Sequence, residues 1–507
     1  MEVKKERSRQ IAAFMAFGTK GDVYPIAAVA AAFACDQKKY EVIFISHSAH
    51  QGLAVHLAES NVRYTPVSSP PVLSPPESDE NDDNSLAASF SMQKRMITKE
   101  HKRECLSIME RVFGDGPSLV GDFLLINFFA LEGWSLAELF HVQCVVAAPY
   151  VVNYTAPSSF QRQFRWELPL LYQYLHEAPD GKLGWKDVIH WMWPLFSEDW
   201  ASWRDELNLS PLPFTDPVTG HPLWHKRPPS PLLLYGFSSE VVECPAYWPS
   251  KTRVSGFWFL PYKWQFSCTS CRDSFDLEWK LCSVHSGLHR FLDASQSTPL
   301  VFIGFSSVAN MGFLRNPRAL LCIIKASVEL TKCRFILLTA GYEPLHMAIQ
   351  TIAALEDSSF CSQTISLNDG ILLYNGHLLC FSGSIPYTWL FKKCAIAIHH
   401  GGSGTTAAAL RAGIPQVVCP FMLDQFYWAE RMCWLGVAPE PVRKIHLLPE
   451  ICDDVSISDG AYVLRNAINR ALSPEMKARA VEMSENISQE NGVSEAVHIL
   501  KEEINGN

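Results

Sequence analysis

With 507 residues the chain exceeds what one hydrophobic core supports, so two or more domains are expected. Hydrophobic residues at 48% against 19% charged describe a globular protein with a generous core, and a net charge of -9 argues against a nucleic-acid partner. Fifteen cysteines, an odd number without regular spacing, point to reduced thiols rather than a disulfide framework.

The charged start from Met1 to Arg9 is followed by an apolar stretch that Gly18-Thr19-Lys20-Gly21-Asp22 interrupts, so neither a signal peptide nor a spanning helix is expected. A cytoplasmic protein is the resulting expectation. Strand Ile11 to Phe17, helix Ile26 to Cys35 and strand Glu41 to Ser46 then alternate as in a Rossmann-like unit. Asp22, just past the first strand, suits a general base at a sheet edge, and equally an N-cap or first-turn acid ahead of Pro25. Ser68 to Ser91, rich in proline and acid, lacks the apolar content to pack and reads as a mobile, solvated loop.

Strands resume at Phe123 to Asn127 and Cys144 to Pro149. Beyond them Trp166, Trp185, Trp191, Trp193, Trp200 and Trp203 crowd together, either as ordinary core or as the wall of an apolar acceptor pocket with a face that rests on membrane. A long connection from Pro261 to Thr298 leads to a second α/β unit, and Cys268-Thr269-Ser270-Cys271 within it, a single C-x-x-C without a second pair, reads as a loop, with metal or redox work as the alternative.

The second unit has strands at Leu300 to Gly304, Phe335 to Thr339, His377 to Phe381, Ala395 to His399 and Gln416 to Cys419. Between the last two lies His400-Gly401-Gly402-Ser403-Gly404-Thr405, which opens onto helix Thr406 to Ala412 closed by Gly413. Glycines let backbone approach a ligand, and free N–H groups at a helix start favour a diphosphate. Gly402, Gly404 and Ala407 also satisfy the loose dinucleotide pattern G-x-G-x-x-A, so this loop alone leaves a nicotinamide cofactor open. Asp424 and Gln425 follow a strand on the ligand-binding rim, where Asp424 is also a candidate N-cap for the helical run Tyr427 to Leu435. The tail from Pro474 to Glu503 is helical and charged.

Several of these segments resemble the sterol 3-beta-glucosyltransferases and their bacterial relatives that glycosylate antibiotics. They are Pro386-Tyr387-Thr388-Trp389-Leu390-Phe391, His399 to Thr406, Leu410-Arg411-Ala412-Gly413-Ile414-Pro415, Asp424-Gln425, Gly18 to Pro25, Gly256 to Leu260 and Val301 to Ser307. The resemblance implies an α/β fold of the GT-B type, two facing Rossmann-like domains with a cleft between them. Residues 1–261 would form the acceptor domain, 262–298 a linker, 299–473 the nucleotide-sugar domain and 474–507 a tail whose last helix braces the first domain.

It further implies an inverting glycosyltransferase that moves glucose from UDP-glucose to the hydroxyl of an apolar acceptor such as a sterol. Asp22 is the implied catalytic base. Thr19, Lys20, Ser307, Ile385, Tyr387, His400, Ser403, Gly404, Thr405, Asp424 and Gln425 are the implied UDP-sugar ligands. No cofactor and no metal are expected, because the loop's donors replace a divalent cation and no paired D-x-D is present. Three positions depart from the family pattern: Lys20 replaces an arginine, Tyr387 a histidine and Ser306 a glycine. The alternatives are a pyridine-nucleotide oxidoreductase and a non-catalytic protein that binds lipid or sugar nucleotide.

Overall fold

Near-continuous apolar runs become strands buried on both faces, which is the burial that parallel sheets require. The computed structural model describes residues 9–72, 83–114, 118–151, 156–278, 281–294, 298–339, 341–358, 365–367 and 370–505. They divide into two units, Met1–Phe259 with Asn491–Asn507, and Leu260–Glu490.

The first unit holds β1 (Gln10–Met15), β2 (Tyr40–His47), β3 (Val62–Val67), β4 (Phe123–Ile126), β5 (Gln143–Ala148), β6 (Leu233–Tyr235) and β7 (Thr252–Val254). Their order is β3-β2-β1-β4-β5-β6-β7, and every pair is parallel. The winding reverses between β1 and β4, which is the topological switch point of a doubly wound sheet.

The first helix, Lys20–Asp36, opens well ahead of the expected Ile26 and runs through Pro25. Thr19 is its N-cap, and the Thr19 N–H donates to Asp22 Oδ2 at 2.7 Å, so the first turn is fixed before the proline removes one N–H. The expected loop over 68–91 needs correction. Helix Asp83–Phe113 begins inside it, while 73–82 lie outside the described residues. The helix's C-terminal half, with Cys105, Ile108, Met109, Val112 and Phe113 buried at helical spacing, anchors it.

The aromatic region is core in part, with three of its six tryptophans buried and Trp193 and Trp200 half-buried. Trp185, Trp191 and Trp203 are buried, whereas Trp166 is 86% exposed. The last helix, Gly492–Asn505, belongs to the first unit. Its Gly492 admits no side chain, since a Cβ there would sit 2.4 Å from the Gly256 carbonyl oxygen. Lys251 Nζ and Gln143 Nε2 both reach Glu503 Oε1, at 2.8 and 3.2 Å, and Lys501 pairs with Asp36 at 3.0 Å.

The second unit holds β8 (Leu300–Gly304), β9 (Arg334–Leu338), β10 (Ile365–Leu367), β11 (Gly370–Leu373), β12 (Leu378–Phe381), β13 (Ile396–His399) and β14 (Gln416–Val418). Their order is β10-β11-β12-β9-β8-β13-β14, antiparallel only across β10, β11 and β12. Here the switch point lies between β8 and β13.

The segment expected as a linker is not a bare connection. It carries helices Thr269–Glu278 and Ser286–Asp293, and Leu288, Phe291 and Leu292 bury one helical face against Phe302, Leu379 and Phe381. Helix Pro474–Ile487 stays with the second unit, where Arg479 Nε donates to the Leu435 carbonyl at 3.0 Å and Ser484 Oγ to the Arg411 carbonyl at 2.8 Å. No helix among the described residues is long and apolar enough to cross a membrane.

Candidate functional site

In the first unit the candidate base sits at the switch point. Asn127, just past β4, accepts from the Phe17 N–H at 3.1 Å and donates to the Phe17 carbonyl at 2.8 Å, which clamps the turn after β1. Gly18 follows with φ +104, and a Cβ there would lie 2.7 Å from Asp22 Oδ2, so only glycine lets the carboxylate close onto the turn. Asp22 Oδ2 accepts from the Thr19 N–H and from Thr19 Oγ1, at 2.7 and 2.8 Å.

Of the two sequence readings of Asp22, these bonds show the first-turn acid. It completes a capping box at the third helical position rather than forming the N-cap itself, and burial pushes its carboxyl up to about 6 against the lowering effect of the Thr19 hydrogen bonds. A carboxylate poised there is a competent base near neutral pH. Beside it stands Phe129, 40% exposed, whose ring also approaches Tyr150 with centroids 6.4 Å apart.

A buried relay leads away from the same turn. The Gly18 N–H donates to His47 Nε2 at 3.2 Å, and His50 Nε2 lies 2.9 Å from the Gly18 carbonyl. His47 Nδ1 meets Ser69 Oγ at 3.2 Å, Ser69 Oγ meets His101 Nδ1 at 2.7 Å, and His101 Nε2 meets Glu132 Oε1 at 2.9 Å. Since His47 Nε2 accepts from backbone, its Nδ1 carries the proton, and the Ser69 hydroxyl passes the direction on to His101. Burial, with the nearby His101, lowers His47 to about 4 and keeps it neutral. Burial also works against charge on His101, but the Glu132 carboxylate outweighs it and raises His101 above its ordinary value. No sequence signal marks this relay, because its members lie 22, 32 and 31 residues apart.

In the second unit β13 delivers the glycine loop to the other switch point. His399 is the structural histidine. It is wholly buried, its Nδ1 accepts from the Gly401 N–H at 3.0 Å, and its Nε2 donates to Gln416 Oε1 at 2.8 Å. His400 turns the other way and hydrogen-bonds the backbone of Gly304 at the end of β8, and burial lowers it to about 4, so it is neutral at pH 7.

The glycines serve different ends. Gly401 (φ +87) brings the loop against the next helix, since a Cβ would meet the Gln425 carbonyl oxygen at 3.0 Å. Gly402 lies under the His400 ring, where a Cβ would be 2.6 Å from Nε2. Gly404 faces open space. Helix Ser403–Ala412 starts there with Gly402 as its N-cap and without a side-chain cap on its first turn. Gly413 closes it in the left-handed conformation, as expected.

Asp424 and Gln425 begin helix Asp424–Trp434, so Leu423 and not Asp424 is the N-cap. Leu423 has φ +55, an uncommon and strained conformation for a branched residue. Gln425 spends its Oε1 on the N–H groups of Phe421 and Met422, at 2.9 and 3.2 Å, and Asp424 Oδ2 accepts from Trp428 Nε1 at 3.1 Å.

The other expected ligands divide. Ile385 is 3% exposed in the core, so only its backbone is available, and Tyr387 stacks on Phe391 at 5.2 Å. Ser307 lies in helix Ser306–Asn310 directly after β8, and its side chain lies outside what the structure describes. Thr19 is engaged with Asp22, while Lys20 is exposed with Nζ 5.9 Å from the Tyr24 ring.

Comparison with known proteins bears on the fold and on what the chain is similar to. Residues 379–490 match the family Erythromycin biosynthesis protein CIII-like, C-terminal domain. The chain is similar to the sterol 3-beta-glucosyltransferase of Debaryomyces hansenii, 27% identical over 76% of this chain and 20% of that protein. It is also similar to that of Komagataella phaffii, 22% identical over 99% of this chain and 35% of that protein. The chain thus spans only a fifth to about a third of the length of these relatives. Among solved structures, the calicheamicin glycosyltransferase CalG4 matches over 99% of both chains with TM-score 0.57 at 14% identity. The fold is GT-B.

Proposed function

We propose that this chain is an inverting glycosyltransferase that moves glucose from UDP-glucose to the hydroxyl of a flat apolar alcohol of the sterol class. The observation that carries the proposal is the uncapped first turn of helix Ser403–Ala412 at the β8/β13 switch point, with His400 beside it and the start of helix Asp424–Trp434 against Gly401. Three N–H groups and the positive end of a helix stabilise the diphosphate as negative charge develops on it. Neutral His400 adds a hydrogen bond, and Asp424 and Gln425 are assigned to the sugar hydroxyls. Asp22 takes the acceptor proton while that oxygen attacks the anomeric carbon from the face opposite the leaving diphosphate. Phe129, exposed next to Asp22, supports an apolar acceptor.

Topology counts against the oxidoreductase reading. A dinucleotide fingerprint occupies the first strand-to-helix turn of its domain. In the second unit that turn is Gly304-Phe305-Ser306-Ser307, which has no G-x-G, whereas the glycine loop follows β13. The test is a transfer screen with radiolabelled UDP-glucose and other nucleotide sugars against sterols, other lipids and phenolics. Glucosylation of a sterol supports the reading. Tight nucleotide-sugar binding without transfer to any acceptor would instead favour a non-catalytic binding protein.

A further inference from the structure

The single C-x-x-C expected as a loop acquires a second pair in three dimensions. Cys268, Cys271, Cys282 and His285 form the pattern C-x2-C-x10-C-x2-H, and one ligand atom from each lies within 4.8 Å of all the others. We propose that these four side chains bind a structural zinc ion in the second unit.

The sulfur geometry favours a metal over a disulfide. Cys268 Sγ and Cys282 Sγ are 3.7 Å apart. A bonded pair would be at about 2.05 Å. Tetrahedral zinc with Zn–S bonds of about 2.3 Å sets its sulfurs about 3.8 Å apart. Backbone N–H groups already point at the thiols as they do in coordinated thiolate turns: that of Cys282 donates to Cys271 Sγ at 3.3 Å, and that of Cys271 to Cys268. Cys271 and His285 are buried and the other two half-buried, so the four ligands make a closed set with no open position for a substrate, which is the character of a structural site. The described cysteines are all free thiols, available as ligands.

The position gives the ion a task. It would staple the start of helix Thr269–Glu278 to the turn Ser283–His285. Ser267, next to Cys268, exchanges hydrogen bonds with Ser384: its N–H donates to the Ser384 carbonyl at 3.1 Å, and its Oγ accepts from the Ser384 N–H at 2.8 Å. The His285 ring packs on Phe381 at 5.7 Å. The staple therefore holds the segment that leads into Ile385 and Tyr387, so its loss should also loosen the donor loop; that last consequence rests on the proposed function, and the zinc site does not.

The test is elemental analysis of the full chain after purification and gel filtration with EDTA, followed by release of metal with a mercurial thiol reagent. Zinc at about one per chain, freed only when thiols are titrated, is the expected result. Replacement by cobalt should give the visible absorption of a tetrahedral ion with thiolate charge transfer. Cys282→Ser should lose the metal, and His285→Cys should retain it. Should the variant fail to fold, the cobalt spectrum of the wild-type chain decides alone. Metal-free wild-type protein without a cobalt spectrum, a Cys268 to Cys282 disulfide found by peptide mapping, or unchanged zinc in a folded Cys282→Ser would each overturn the proposal.

Discussion

Asp22→Asn should lower turnover and raise stability at once. The wild-type carboxyl is pushed from its ordinary 3.8 to about 6, mainly by burial. At about 1.4 kcal/mol per pH unit, that difference amounts to about 3 kcal/mol by which the ionised side chain destabilises the fold above pH 6. The sign follows from the raised value. The folded state holds the proton more tightly than the unfolded chain, so this penalty is absent below about pH 4 and grows as pH rises through 6. Because Asp22 keeps partial exposure, about 3 kcal/mol is an upper bound.

Asparagine removes the charge, and its carbonyl oxygen can still accept both Thr19 bonds. Thermal unfolding at pH 8 should therefore show the variant gaining up to several degrees, with the gain vanishing near pH 4. Turnover with a responsive acceptor should fall roughly 100-fold or more, the scale of a lost general base. In the wild type, kcat/KM should fall about tenfold per pH unit below 6. Wild-type turnover in Asp22→Asn would refute the base assignment. Destabilisation at pH 8 would show that the carboxylate serves the fold.

The other outcomes concern the donor. UDP and UDP-glucose should raise the melting temperature without added metal and NAD should not; at about 100 times Kd the gain is about 2.7 kcal/mol, and the reverse pattern would favour the oxidoreductase. His400→Ala should weaken UDP binding and transfer together by about tenfold, a lost hydrogen bond's worth, as read by calorimetry and kcat/KM. Gly402→Ala should mimic it, because its Cβ would displace the His400 ring, and the double variant should cost little more than either single one. Gly404→Val should leave stability nearly unchanged, since nothing lies near its Cβ, yet exclude the diphosphate from the helix start.

What the sequence discloses follows from how local each signal is. Strand β8 reads directly as Leu300–Gly304, because a buried parallel strand is one unbroken apolar run with a glycine at its end. Strands β6, β7 and β10 have three residues each, too few for a period to show; β14 is as short but is marked off by Pro415 and Pro420. The helix at Asp83 begins in an acidic stretch that composition assigns to solvent, and it is held by the apolar stripe near its other end. The glycine loop and Asp22 are legible because backbone geometry is encoded within a few residues. Ser69, His101 and Glu132 are not, because only the sheet brings them to His47. Cys282 and His285 were hidden by ten intervening residues after Cys271.

The two switch points are also opposite in electrostatic design, which bears on the reaction class. At the first, Asp22 is given only the Thr19 donors and a buried setting, so its proton affinity rises. At the second, the helix start has no capping acceptor, His399 and Gln416 satisfy each other out of reach of solvent, and His400 is kept neutral. One place favours taking up a proton, and the other favours receiving negative charge. The proposed transfer, in which a hydroxyl loses its proton while a diphosphate departs, calls for a base and for a diphosphate cradle. A hydride transfer to a nicotinamide leaves the cofactor's diphosphate unchanged, so it requires no cradle whose stabilisation grows during the reaction. The uncapped helix start at Ser403 to Thr405 therefore speaks, within the second unit by itself, for the proposed group transfer over hydride transfer.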